Sequence, residues 1–115
     1  MKEEKTMSIA IPEEFECTRN GATWKGTIKV KEAGQNHCIA VIESRGTEFV
    51  VAITCYFSGY GMKEWCISVP NLNFGCKLSA ISAEWNERQF APHIKNAVDR
   101  RSLTCAVDCI LKELN

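Results

Sequence analysis

The sequence predicts an α+β fold: an antiparallel meander of about five strands with C-terminal helices packed on one face. Three observations carry that expectation. Apolar and polar residues alternate with period two through most of residues 13–69, and the connections between those runs are short and rich in turn residues. After Pro70 the pattern changes, ending in Leu103, Val107, Ile110, Leu111 and Leu114 at helical spacing. Strands followed by helices build two layers around one core. The chain of 115 residues is 45% hydrophobic and 24% charged, with formal net charge zero. That is the composition of a single globular domain, and it excludes a disordered tail, a fibrous repeat and a strongly basic histone-like binder.

Residues 1–12 read as a flexible leader, because charges of both signs crowd its start and Pro12 interrupts any regular element. Residues 13–115 read as a single α+β domain. Phe15 and Cys17 alternate with Glu14, Glu16 and Thr18, and Asn20-Gly21 then supplies the positive φ angles of a type I′ hairpin. On the return strand Trp24, Ile28 and Val30 point to the core, while Thr23, Lys25, Thr27, Lys29 and Lys31 point to water. Residues 37–43 and 48–57 are apolar on both faces, as central strands are, with Arg45-Gly46 as the turn between them. Ser58-Gly59-Tyr60-Gly61 breaks the chain before Trp65, Ile67 and Val69 alternate up to Pro70. Residues 71–79 are expected to be loop. Asn86 with Gln89 resembles a capping box, which starts a helix at Glu87; Pro92 interrupts it, and Ser102 or Asp99 caps the last helix.

Seven cysteines form an odd set, and residues 1–12 hold no apolar secretory core, so the thiols are expected to be reduced in a cytoplasmic protein. There is no Cys-x-x-Cys pair to announce zinc, and neither a metal nor any other cofactor is expected. No apolar run is long enough to span a membrane. Catalysis finds little support, so the chain is not expected to be an enzyme. His37 and Cys38 are adjacent in a strand and point to opposite faces, and no phosphate loop or nucleophile elbow is present.

Three groups of residues remain as candidates for partner binding. Lys25, Lys29 and Lys31 form a stripe on one strand face, with Arg19 just across the hairpin turn. Such a row suits phosphates or an acidic protein surface, although it also serves as an ordinary solvated face that protects an edge strand. Tyr60 belongs to a group of aromatics around the glycine-rich turn, where aromatics anchor interfaces or cores. Cys105 and Cys109, one helical turn apart, fall opposite the apolar arc of the last helix, so both are expected to be reduced and partly exposed. Their expected roles are a dimer contact, a redox pair or two metal ligands, against the plain alternative of inert surface thiols. The chain is expected to be a monomer or a homodimer.

The segments Glu43-Ser44-Arg45-Gly46, Gly75-Cys76-Lys77-Leu78 and Trp85-Asn86, with the closing helices, resemble uncharacterised small proteins of gut Firmicutes, often encoded near mobile elements. The resemblance covers roughly residues 13–114 and carries no functional residue, and Cys105 and Cys109 depart from its pattern. What it implies is an accessory or inhibitor protein that binds a host or element protein, a class that includes inhibitors of defence nucleases such as anti-CRISPR proteins. The leading expectation is therefore a non-catalytic protein-binding module. A nucleic-acid-binding domain that uses the lysine stripe is the alternative, and a thiol- or metal-dependent activity is third.

Overall fold

In a computed structural model, which describes residues 11–114, six strands form one antiparallel sheet in sequence order. They are β1 (Glu14–Arg19), β2 (Ala22–Ala33), β3 (His37–Ser44), β4 (Thr47–Phe57), β5 (Lys63–Val69) and β6 (Phe74–Leu78). A 3₁₀ turn at Pro70–Leu72 links β5 to β6, and α1 (Ala83–Phe90) and α2 (Ala97–Leu114) follow. The leader expected at residues 1–12 lies almost wholly outside the described residues.

Two hairpins turn as their residues require. Asn20 and Gly21 have φ 54° and 79°, and Arg45 and Gly46 have φ 54° and 82°, so both connections use the positive-φ pair of a type I′ turn. Registers then follow: Cys17 faces Trp24, Ile28 faces Ile42, and Ile42 faces Phe49. All of these point to the helix face, where Phe15, Trp24, Ile28, Cys38, Ala40, Ile42, Phe49, Val51, Ile53, Trp65, Ile67 and Val69 are buried. The helices close this layer. α2 lies across β1, β2 and β3, while α1 packs on β6 and on α2.

Several expectations need correction. The sheet has six strands rather than about five, because Phe74, Cys76 and Leu78 alternate inward within the segment expected to be loop. Asn73, at φ 58°, closes the preceding turn and lets the chain enter β6. Val30 was expected in the core but is 37% exposed. Pairing of β1 with β2 runs only from Glu14–Thr27 to Arg19–Ala22, so β1 does not flank Val30, and a bulge follows it. α1 starts at Ala83, capped by Ser82 Oγ, which accepts from Trp85 N at 3.1 Å. Asn86, assigned from the sequence to a cap, is instead a buried residue inside that helix. The start of α2 is held by Asn96 Oδ1, which accepts from Val98 N and Asp99 N, rather than by Ser102 or Asp99.

Val107 on α2 is fully buried. Val107→Ala should lower unfolding free energy by about 2 kcal/mol through a cavity beneath the helix. A denaturant midpoint equal to that of the wild type would contradict this docking.

Candidate functional site

The sheet separates the residues that the sequence grouped. Lys25 and Lys29 stand on the open face, opposite the helices, but acids are interleaved with them. Glu16 pairs across from Lys25, and Thr27 lies between Glu14 and Glu43. Lys31 sits at the bulge between Val30 and Glu32, which interrupts the row. Arg19 is not part of that face. It shares the helix side with Cys17, and its Nη1 donates to Glu87 on α1 at 2.7 Å. Tyr60, 94% exposed, caps the tip of the β4–β5 hairpin, where Ser58 Oγ accepts from the backbone N–H of Tyr60 and Met62.

The cysteines depart most from expectation. Cys105 is buried and forms a disulfide with Cys17, across a Cα–Cα separation of 6.2 Å that suits such a bond. Cys109 is half-buried and free. The expected pair of reduced, partly exposed thiols therefore does not exist, and Cys105 is unavailable as a dimer contact or redox partner for Cys109. The physical reason is that α2 is buried on more than its apolar arc. Ser102, Thr104, Cys105 and Ala106 are buried together with Leu103 and Val107, because the sheet covers one side and α1 another.

Burial pushes the Cys38 thiol up to about 11, and it raises Cys76 and Cys109 as well, with Asp108 adding to the effect on Cys109. Cys38 should accordingly react with a maleimide more slowly than any other free thiol, as timed peptide mapping would show. Faster labelling of Cys38 than of Cys109 would contradict the packing of β3. His37 Nε2 lies 2.9 Å from Glu32 Oε2, on the other side of the sheet from Cys38, and His93 stacks on Phe74 with centroids 4.3 Å apart. Among the described residues no group of three or more His, Cys, Asp or Glu side chains is placed to hold a metal ion, and no helix is long and apolar enough to cross a membrane.

The structure also builds a site that sequence reasoning missed. α2 lies on the first three strands and α1 packs on the edge strand β6, with the loop before α1 standing beside the ends of β5 and β6. There a cleft of about 600 Å³ is walled by Trp65 and Leu78, by the loop Ser79–Ser82, and by Trp85 on α1. Lys63 and Arg88 are the charged side chains beside its aromatic walls; Glu64 and Lys77 border it from strand positions that alternate to the other face of the sheet. Lys63 Nζ sits 5.3 Å from the centre of the Trp65 ring, and Lys77 Nζ lies 3.7 Å from Glu64.

The loop that forms one wall is braced from within. Buried Asn86 donates through Nδ2 to Ser79 O at 3.0 Å and accepts at Oδ1 from Ser79 N at 2.7 Å. Ser79 Oγ accepts from Ile81 N and Ser82 N. These bonds fix the backbone on both sides of Ile81, whose side chain is 94% exposed at the cleft. A large apolar side chain on a fixed backbone loses little entropy when it is covered. The hints in the sequence are Trp65 near the glycine-rich turn and Trp85 at the edge of the helical region; the Ser79–Asn86 clamp has no signature at that spacing.

On the other side of α1, arginines gather about one carboxylate. Glu87 accepts from Arg19 Nη1 at 2.7 Å and from Arg101 Nε at 3.4 Å, while Arg100 Nε stands 3.7 Å from Oε2. Arg101 also lies over Trp24, 5.5 Å from the ring centroid.

Fold and site together describe a small α+β domain with an aromatic cleft, flanked by cations, between β5, β6 and α1. The chain belongs to the DUF6618 family, a family of unknown function whose model matches residues 13–115. No curated protein matches it, and no solved structure matches it.

Proposed function

We propose that the protein is a non-catalytic protein-binding module, and that it binds through the cleft between β5, β6 and α1. The partner chemistry that fits is an acidic segment carrying a large apolar side chain. One observation carries the reading: Ile81 is held exposed on a braced loop, beside Trp65 and Trp85, with the cations Lys63 and Arg88 alongside. Apolar anchors in a pocket supply most interface energy, and surrounding charge sets the approach and the choice of partner. An accessory or inhibitor role of the mobile-element kind requires such a surface and no reaction chemistry. The lysine stripe supports a nucleic-acid reading less well, because Glu14, Glu16 and Glu43 lie beside it.

A random peptide library displayed on phage tests this directly. Selection on the wild type should enrich peptides with acids next to a large apolar residue. Ile81→Asp should weaken their binding at least tenfold, equivalent to about 1.4 kcal/mol or more, and moderate salt should weaken it further. Peptides that bind Ile81→Asp as well as wild type would overturn the site. The protein-binding reading would give way to the nucleic-acid one if no peptide were selected while a short RNA or DNA was retained and then lost in Lys25→Glu/Lys29→Glu.

A further inference from the structure

We propose that the arginine pocket on the far side of α1 binds a phosphoryl group. Arg19 from β1, Arg88 from α1 and Arg100 from α2 line a cavity of about 300 Å³ with Glu84, Glu87 and Ala91. The first strand and the two consecutive helices thus converge on one small volume. The charges there do not balance. Arg19, Arg88 and Arg100 carry three positive charges against two on Glu84 and Glu87, and Arg101 from outside the cavity also draws on Glu87. Glu84 is exposed and is screened by water, so Glu87 does most of the neutralising, with its side chain only 15% exposed.

Hydrogen bonding is as lopsided as charge. Each guanidinium carries five N–H donors. Among the described residues Arg19 spends a donor on Glu87, Arg100 spends one on Ile94 O at 3.0 Å and turns Nε to Glu87, and Arg88 makes no ion pair. Both carboxylate oxygens of Glu87 are already engaged. The donors left over line an open, shallow cavity, with the Arg19 and Arg100 side chains partly shielded from water and Arg88 exposed at its rim. A compact oxyanion corrects the charge and the donor excess together. Planar guanidiniums match a phosphoryl group in paired N–H···O bonds, which separated surface lysines do not.

This inference goes beyond the cleft and needs no peptide there. The phosphoryl group can arrive as free inorganic phosphate or on a phosphorylated side chain, and the chemistry of the pocket is the same for both. Arg88 lines both sites, so Lys63→Ala, which touches the cleft alone, separates them.

The test is a titration with inorganic phosphate at constant ionic strength, read by calorimetry and by the arginine Nε–Hε resonances. Saturable shifts at Arg19 and Arg100 are expected in the wild type. Arg88→Ala, at an exposed position, should weaken binding about tenfold, the loss expected for one charge-assisted contact. Lys63→Ala should leave it unchanged, and Glu87→Gln should tighten it by removing the competing negative charge. A phosphoserine peptide that binds more tightly than inorganic phosphate would assign the site to phosphorylated partners; equal or weaker binding would assign it to the free ion. No saturable shift, or a phosphate affinity indifferent to Arg88→Ala, would overturn the proposal. The Arg88 and Lys63 variants decide it even if Glu87→Gln does not fold.

Discussion

Reduction of the Cys17–Cys105 disulfide is expected to lower the unfolding free energy by roughly 4 kcal/mol. The bond joins β1 to α2 across a sequence separation of 88 residues. Closing a loop of that size removes much of the freedom of the unfolded chain, and the loop-entropy relation gives about 4–5 kcal/mol before any relaxation of the native state. Domains of this size have only about 5–15 kcal/mol in total, so the effect would dominate their denaturation. Guanidinium unfolding with and without a reductant measures it. The Cys17→Ser/Cys105→Ser variant should unfold near the reduced wild type and be insensitive to reductant. Equal midpoints in both conditions, with all seven thiols titratable once the unreduced protein is denatured, would show that the bond does not form.

Asn86→Ala should be the next most damaging change, at about 3 kcal/mol. Its side chain satisfies both the N–H and the carbonyl of Ser79 in a site that is almost completely closed to solvent. Truncation leaves two backbone groups without partners, at about 1–3 kcal/mol each, offset where water enters the space. Asn86→Asp is the sharper variant. It can still accept from Ser79 N, but its carboxylate then faces Ser79 O with no proton between them. Both variants should also speed amide exchange across residues 79–82 and weaken any ligand that depends on Ile81. Wild-type melting in both would mean that the loop is not held by this clamp.

Much of the sheet was legible because one strand carries an unambiguous code. Trp24 and Ile28 inward with Lys25 and Lys29 outward leave one parity, and the two type I′ turns then set the neighbouring registers. The same parity places Arg19 with Cys17 and Trp24, away from the lysines; proximity to the turn had suggested otherwise. β6 escaped notice because Asn71, Asn73 and Gly75 signal a turn while the alternation of Phe74, Cys76 and Leu78 is short. The phase of α2 was correct for its large apolar residues. It misjudged Cys105 because a helical wheel assumes one buried side, and small residues reveal little about a second. The cleft was the least legible part. It arises where the loop before α1 meets the ends of β5 and β6, a property of lengths and packing rather than of any motif.

The strict neighbour order of the strands also bears on how the chain finds its fold. Each strand pairs with the one just made, so every step from β1 to β6 closes only a short loop and the sheet can grow hairpin by hairpin. α2 is different. It must return from the end of the chain to lie on the first three strands, with Ser102 Oγ 3.1 Å from Ser44 Oγ and Cys105 against Cys17. That long return closes the largest loop in the fold and carries the largest loop-closure entropy. It is also the contact that covers Trp24, Ile28 and Ile42, so the core of the first strands is completed by the last element of the chain to be made.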